Sequence, residues 1–297
     1  MARKLTNIPQ LVKPYRVIHG KKWRLADCDA GENQGLDLKS EAGDLLKQGI
    51  ERLSNLQRKL YAQDRWALLL IFQAMDAAGK DSVIQHVMSG INPQGCQVYS
   101  FKQPSAEDLS HDYLWRASKA LPQRGHIGIF NRSYYEEVLV LRVHPSLIAN
   151  ELIPPPLTTK KIWKERFEDI VAFERYLSRN GFVIRKFFLN VSKEEQKRRF
   201  LARLDDPEKN WKFSEADVRE RERWGDYMDA YEDAIRHTAT SEAPWFIVPA
   251  DHKWFTRLVV ASVVIETLES LKVKYPVLDK QKEKELASVR KLLSRQK

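Results

Sequence analysis

Cysteine is nearly absent from this chain. Two, Cys28 and Cys96, occur in 297 residues, too few for a disulfide framework or a zinc site and in keeping with a reducing compartment. Long apolar runs are also lacking. The longest, Ala67 to Phe72 and Leu258 to Ile265, fall far short of the roughly 20 residues that cross a bilayer. The basic start has no apolar segment of the kind a secretion signal needs. A soluble cytoplasmic protein with no membrane partner is therefore expected. Charge, by contrast, is plentiful. Fifty Lys and Arg stand against 40 Asp and Glu, a net charge of +10, with a pI near 9.4. That balance suggests a polyanionic partner without choosing one. The 43% apolar content is enough to build a core.

Residues 1–39 read as an N-terminal arm with few periodic apolar positions. From Ser40 a helical pattern places Leu45, Leu46, Ile50, Leu53, Leu56 and Leu60 on one face. Ala67 to Phe72 is a short unbroken apolar run, which suits a strand buried on both faces of a parallel sheet. Further strands are expected at Gln97 to Phe101, His126 to Phe130, Phe182 to Val191 and Trp245 to Val248. Helices are expected after Lys80, after the Ser105-x-x-Asp108 cap, up to Val143, over Thr158 to Arg179, after the Ser192-x-x-Glu195 cap, from Glu215 onward and over Phe255 to Leu271. The charged tail from Lys280 reads as one more helix. Strand and helix alternate without an internal repeat or a long linker. The pattern predicts one α/β domain over residues 40–297 with a doubly wound parallel sheet and helices on both faces.

The segment Phe72 to Ser82 leaves a buried strand and enters a helix, the context of a phosphate-binding loop. There, backbone N–H groups of Ala77, Ala78 and Gly79 and the helix start at Lys80, Asp81 and Ser82 face the anion, and Lys80 neutralises phosphate charge. The match to GxxxxGK[ST] is imperfect, because Ala74 replaces the first glycine and Asp81 the Ser or Thr. An ordinary strand–helix turn with a surface lysine is the plainer alternative. Asp76 argues against it. A carboxylate in a phosphate cradle repels the ligand unless a cation lies between them, and Mg²⁺ takes one or two carboxylates plus phosphate oxygens. Asp81 has an ordinary explanation as a first-turn acid.

A second constellation ends the strand at 126–130: Asn131, Arg132 and, five residues on from Asn131, Glu136. Arg132 can pair bidentately with phosphate, or it is a surface ion-pair partner. The third is basic. Lys193, Lys197, Arg198, Arg199 and Arg203 lead into an insert carrying Lys209 and Lys212. Such an element is either a lid over a transferring phosphoryl group, spanning about residues 192–225, or a solvated basic face balanced by Glu194, Glu195, Asp205 and Asp206. The seven histidines read as ordinary polar or packing residues. No aromatic–basic nucleic-acid motif is present, so nucleic acid is not expected as a partner.

Taken in order, these segments resemble the family-2 polyphosphate kinases, a P-loop group similar in fold to thymidylate kinase. The resemblance spans about Ser40 to Pro276. It rests on Gln73 to Asp81, Asn92 to Gly95, His111 to Arg116, Phe130 to Glu136, Glu195 to Phe200, Asp206 to Phe213 and Ala243 to Asp251. It implies a P-loop kinase-like fold with a helical lid, and phosphoryl transfer between inorganic polyphosphate and the adenine nucleotides AMP, ADP and ATP with Mg²⁺ or Mn²⁺. It further implies Lys80 and Arg132 on the transferring group, Asp76 and Glu136 on the metal, and Lys102, Arg198, Arg199, Arg203, Lys209 and Lys212 along the polyphosphate. The family's common pattern has Asp at position 131 and Asn at position 136. The Asn131 and Glu136 seen here resemble the class III subgroup, which accepts both AMP and ADP. A homo-oligomer is implied as well.

Overall fold

The structure, a computed structural model, describes residues 8–35, 42–208 and 210–296. Its centre is a six-stranded sheet in the order β1-β6-β5-β2-β4-β3. The strands are β1 (Arg16–Val17), β2 (Ala67–Gln73), β3 (Cys96–Ser100), β4 (Ile127–Asn131), β5 (Phe182–Asn190) and β6 (Trp245–Pro249). The unbroken apolar run becomes β2, buried at every residue and paired in parallel with β4 and β5. Burial on both faces is what removes the polar alternation from its sequence.

The helices are α1 (Ile8–Val12), α2 (Ala42–Gln63), α3 (Lys80–Met88), α4 (Ala106–Leu109), α5 (Trp115–Lys119), α6 (Glu136–Val143), α7 (Ile162–Arg179), α8 (Lys193–Leu204), α9 (Glu215–Glu222), α10 (Trp224–Thr238), α11 (Lys253–Ser270) and α12 (Lys280–Leu293). On one side of the sheet α11 packs against α1, α2 and α3; on the other, α6, α7 and α10 pack together. Helices on both faces make this a doubly wound α/β fold. The Ser105 and Ser192 caps form as the sequence predicts, each hydroxyl accepting from a backbone N–H three residues on at 3.1 Å.

Three expectations need correction. The sheet is not wholly parallel, because β1 pairs antiparallel with β6. That strand comes from the segment read as an arm, which also buries Ile8, Val12, Tyr15, Val17 and Leu25 in the same core as the sheet. Its apolar residues are too few and too irregularly spaced to show a period, yet these five are buried. The helix expected from Thr158 starts at Ile162, behind a 3₁₀ turn at Pro155–Leu157 that proline favours. The helix expected from Glu215 is broken at Arg223 into α9 and α10. The Ser40 start of the first long helix, the 39/40 boundary, Lys209 and the Lys212 side chain lie outside the described residues.

A buried polar network fixes the start of α6. Lys186 on β5 is fully buried and donates to Glu174 Oε2 at 2.6 Å, the Thr238 carbonyl at 2.8 Å and Tyr135 Oη at 2.9 Å. Tyr134 and Tyr135 both donate to Glu174 Oε1, at 2.9 and 2.8 Å. A charge pair without water is tolerable only when its remaining hydrogen bonds are met in this way. The network ties β5, α7 and α10 to the two residues before Glu136.

Candidate active site

The C-terminal ends of parallel strands are where open α/β sheets bind ligands. Here the ends of β2 and β4 lie side by side, with Phe72 opposite Asn131. Beyond β2, residues 74–79 form a loop that enters α3. Two of its residues take left-handed backbone conformations: Ala77 at φ +59° and Gly79 at φ +103°. Glycine carries that conformation without steric cost; Ala77 does not, and such strain collects at functional loops.

Lys80 is buried beneath this loop. Its Nζ donates to the Ala74 carbonyl at 2.7 Å and the Met75 carbonyl at 3.4 Å. Burial pushes its ammonium below the ordinary lysine range, while Asp76, Glu136 and Asp81 act to keep the charge. Asp81, in the first turn of α3, accepts from Asn131 Nδ2 at 2.6 Å. Ser82 Oγ accepts from Arg257 of α11 at 2.8 Å, so that hydroxyl ties α3 to α11.

Arg132 is the hub. Its backbone is left-handed, φ +63°, while its N–H still donates to the Phe72 carbonyl at 3.0 Å. Its guanidinium meets Asp76 Oδ1 at 3.0 Å and Glu136 Oε2 at 3.3 Å. Glu136 foremost, then Asp76, raise its affinity for its proton despite partial burial. Asp76, Arg132 and Glu136 all face one cavity of about 350 Å³, which Met75, Tyr227 and Tyr231 help to line. Lys80, Asp81 and Asn131 are not in its wall. The far side of the cavity carries residues the sequence did not single out. His144 Nε2 lies 2.9 Å from Glu220 Oε2, to which Tyr227 also donates at 2.6 Å. Although burial works the other way, these two partners hold the Glu220 carboxyl below its usual range. Tyr227 and Tyr231 lie on an ordinary amphipathic helix face, and Glu220 in a charged run, so neither was distinguishable as a cavity wall.

The basic helix α8 splits into two faces. Arg198 is exposed and forks onto Glu195, with both contacts at 2.6 Å. Arg203 lies partly exposed with its guanidinium over the Phe200 ring. Arg199 is buried instead and points under the loop, donating to the carbonyls of Ala77, Ala78, Ala250 and Asp251 at 2.5 to 3.2 Å. These four acceptors are backbone oxygens, and its Nε also pairs with Glu195 Oε1 at 2.6 Å, so Arg199 braces the loop from α8. Lys102 is exposed just past β3, at the same end of the sheet. Lys253, which the sequence reading missed, opens α11 near this group. Burial, together with Arg199, Arg257 and Arg198, pushes its ammonium down, the mark of concentrated positive charge.

A strand–loop–helix turn at the C-terminal end of the interior strand β2, with a carboxylate–arginine–carboxylate cluster and a basic rim beside it, sits in a P-loop kinase-like fold. The model of the family Polyphosphate kinase 2 (PPK2) matches residues 36–276, and the chain belongs to that family. It is 53% identical over 282 residues to the ADP-polyphosphate phosphotransferase of Rhodopseudomonas palustris, covering 95% of this chain and 98% of that one. It is 41% identical over 266 residues to the AMP/ADP-polyphosphate phosphotransferase of Meiothermus ruber, covering 89% and 96%. The crystal structure of polyphosphate kinase 2 from Arthrobacter aurescens superimposes with a TM-score of 0.84 at 40% identity, over 94% of this chain and 96% of the other.

Proposed function

We propose that this protein transfers phosphoryl groups between inorganic polyphosphate and adenine nucleotides, accepting both AMP and ADP. The observation that carries this reading is Arg132 joining Asp76 and Glu136 in the wall of one cavity beside the phosphate loop. The relatives' names give the donor and the acceptors. Two other readings use the same features, an ATP-dependent nucleotide kinase with the same loop and a nonenzymatic nucleic-acid binder using the net positive charge, and the relatives' names weigh against both.

In this reading the nucleotide enters the cavity with its terminal phosphate toward Arg132, and the polyphosphate lies along the basic rim of Arg198, Arg203, Lys102 and Lys253. Direct in-line transfer asks the protein mainly for positioning and charge stabilisation, so no covalent nucleophile is needed. Lys80 supplies fixed positive charge under the loop. The donor set suits a hard cation. Asp76 and Glu136 are carboxylates sharing one guanidinium, and among the described residues no group of three or more metal-ligating side chains lies together. Asp76 and Glu136 would hold Mg²⁺ or Mn²⁺, with phosphate oxygens and water completing its shell, and the ion would offset charge on the transferring group.

Salt tests the extended donor track. Binding of a polyanion releases counterions in proportion to the contacts made, so long polyphosphate is expected to lose affinity more steeply with salt than tripolyphosphate. Equal slopes would contradict the track. A homo-oligomer in the cytoplasm belongs to the same reading. Val98 and Tyr99 on edge strand β3 and Leu292 and Leu293 on α12 are exposed apolar side chains that an interface would cover. Among the described residues no helix is long and apolar enough to cross a membrane.

A further inference from the structure

We propose that Gln196 is a positioning residue that links the lid helix α9 to the phosphate loop at Asp76. Gln196 is buried on α8, and its side-chain amide is used at both ends. Nε2 donates to the Asp76 carbonyl at 2.9 Å, and Oε1 accepts from Arg221 Nη1 at 2.9 Å. The same Arg221 nitrogen donates to the Lys193 carbonyl at 2.6 Å, which fixes the guanidinium against the first turn of α8. One residue earlier, Glu220 reaches the opposite side of the cavity through His144 and Tyr227. The end of α9 thus holds the cavity wall with one side chain and the loop, through Gln196, with the next.

The chain of contacts has a direction. A buried amide whose donor and acceptor are both engaged cannot rotate without leaving one polar group unsatisfied. Moving Arg221 away therefore removes one of the two hydrogen bonds that hold the Gln196 amide and leaves its Oε1 unsatisfied, so the bond from Nε2 that pins the Asp76 carbonyl is held less firmly. Asp76 is the residue whose carboxylate meets Arg132, so a shift in its peptide is a shift of that carboxylate. Lid position and loop geometry become one variable. The role rests on the reading above only in treating Asp76 as an active-site carboxylate.

Hydrogen–deuterium exchange on the ligand-free full chain tests it, compared among wild type, Q196E, Q196M and R221A. Q196E keeps an acceptor for Arg221 but loses the donor to Asp76, so exchange at residues 75–79 should rise about three- to tenfold, the worth of one such hydrogen bond, while α9 stays protected. R221A touches no atom of the loop, yet exchange there should also rise, and in the Q196M/R221A double variant it should rise no further than in Q196M alone. Loop exchange at the wild-type level in R221A, or additive effects in the double variant, would overturn the proposal. Exchange elsewhere in β2 and β5 should stay unchanged in all of them; loosening there to the same degree would mean general damage and would equally overturn it. No metal or substrate enters this comparison. Failure of Asp76 as a metal ligand would show instead in an Asp76→Asn metal titration.

Discussion

Asn131 donates its side-chain amide to Asp81 at 2.6 Å, joining the end of β4 to the first turn of α3. An aspartate at position 131 would set two carboxylates at that distance, and like charges so close cannot both ionise cheaply. N131D is therefore expected to lower thermal stability at neutral pH, and to lower it less when the pH falls and one of the pair takes a proton. Equal destabilisation at pH 5 and pH 8 would contradict this account of why an amide stands there.

Glu136 should bear on the acceptor. It lines the cavity and holds Arg132, and AMP is one phosphate shorter than ADP, so its phosphate must reach the donor from a different position. E136N is expected to lower kcat/KM for AMP about tenfold more than for ADP, the scale of one hydrogen bond to a charged group. Measuring both acceptors on one preparation cancels general damage. Equal losses would remove the selectivity role.

Lys80→Ala should cost about 2.7–4 kcal/mol of transition-state stabilisation, the scale seen for one preorganised donor, hence a fall of a hundredfold or more in kcat. The circular dichroism spectrum should remain that of wild type, since the lysine lies under a loop and not in the sheet. Turnover within a few-fold of wild type would place the phosphate site elsewhere.

Glu137, next to Glu136, is buried against Glu151 with Arg116 and Arg166 around it. Burial first, then Glu151, raises its carboxyl to about 8, while the two arginines pull the other way. Between the ordinary carboxylate range and about 8, the folded protein holds a proton that the unfolded chain has released. Stability contributed by that proton is present at low pH and declines as pH rises through this window. Melting temperature should fall less from pH 5 to pH 8 in Glu137→Gln, which carries no titrating proton, than in wild type. Parallel curves would show that Glu137 is ionised in both states.

Much of the fold was legible because its signals are local. The β2 run, the serine caps and the Gly79-Lys80 turn each follow from a few adjacent residues. What was hidden depends on distant partners. Nothing around Arg199 distinguishes it from Arg198, yet the helix phase turns one under the loop and leaves the other in solvent. The cavity wall at His144, Glu220 and Tyr227 comes from the residue after α6 and from α9 and α10, and only folding brings them together. The antiparallel β1 is two residues long, too short for any period to register.

The most direct measurement follows ATP formed from polyphosphate and ADP, with no other phosphoryl donor present, in wild type and in Arg132→Ala. The account expects wild type to form ATP in step with the loss of polyphosphate residues. Arg132→Ala, which leaves Asp76 and Glu136 without the guanidinium that joins them, should lose at least about a hundredfold in kcat/KM. No ATP from polyphosphate, or an Arg132→Ala enzyme close to wild type, would contradict the account at its centre.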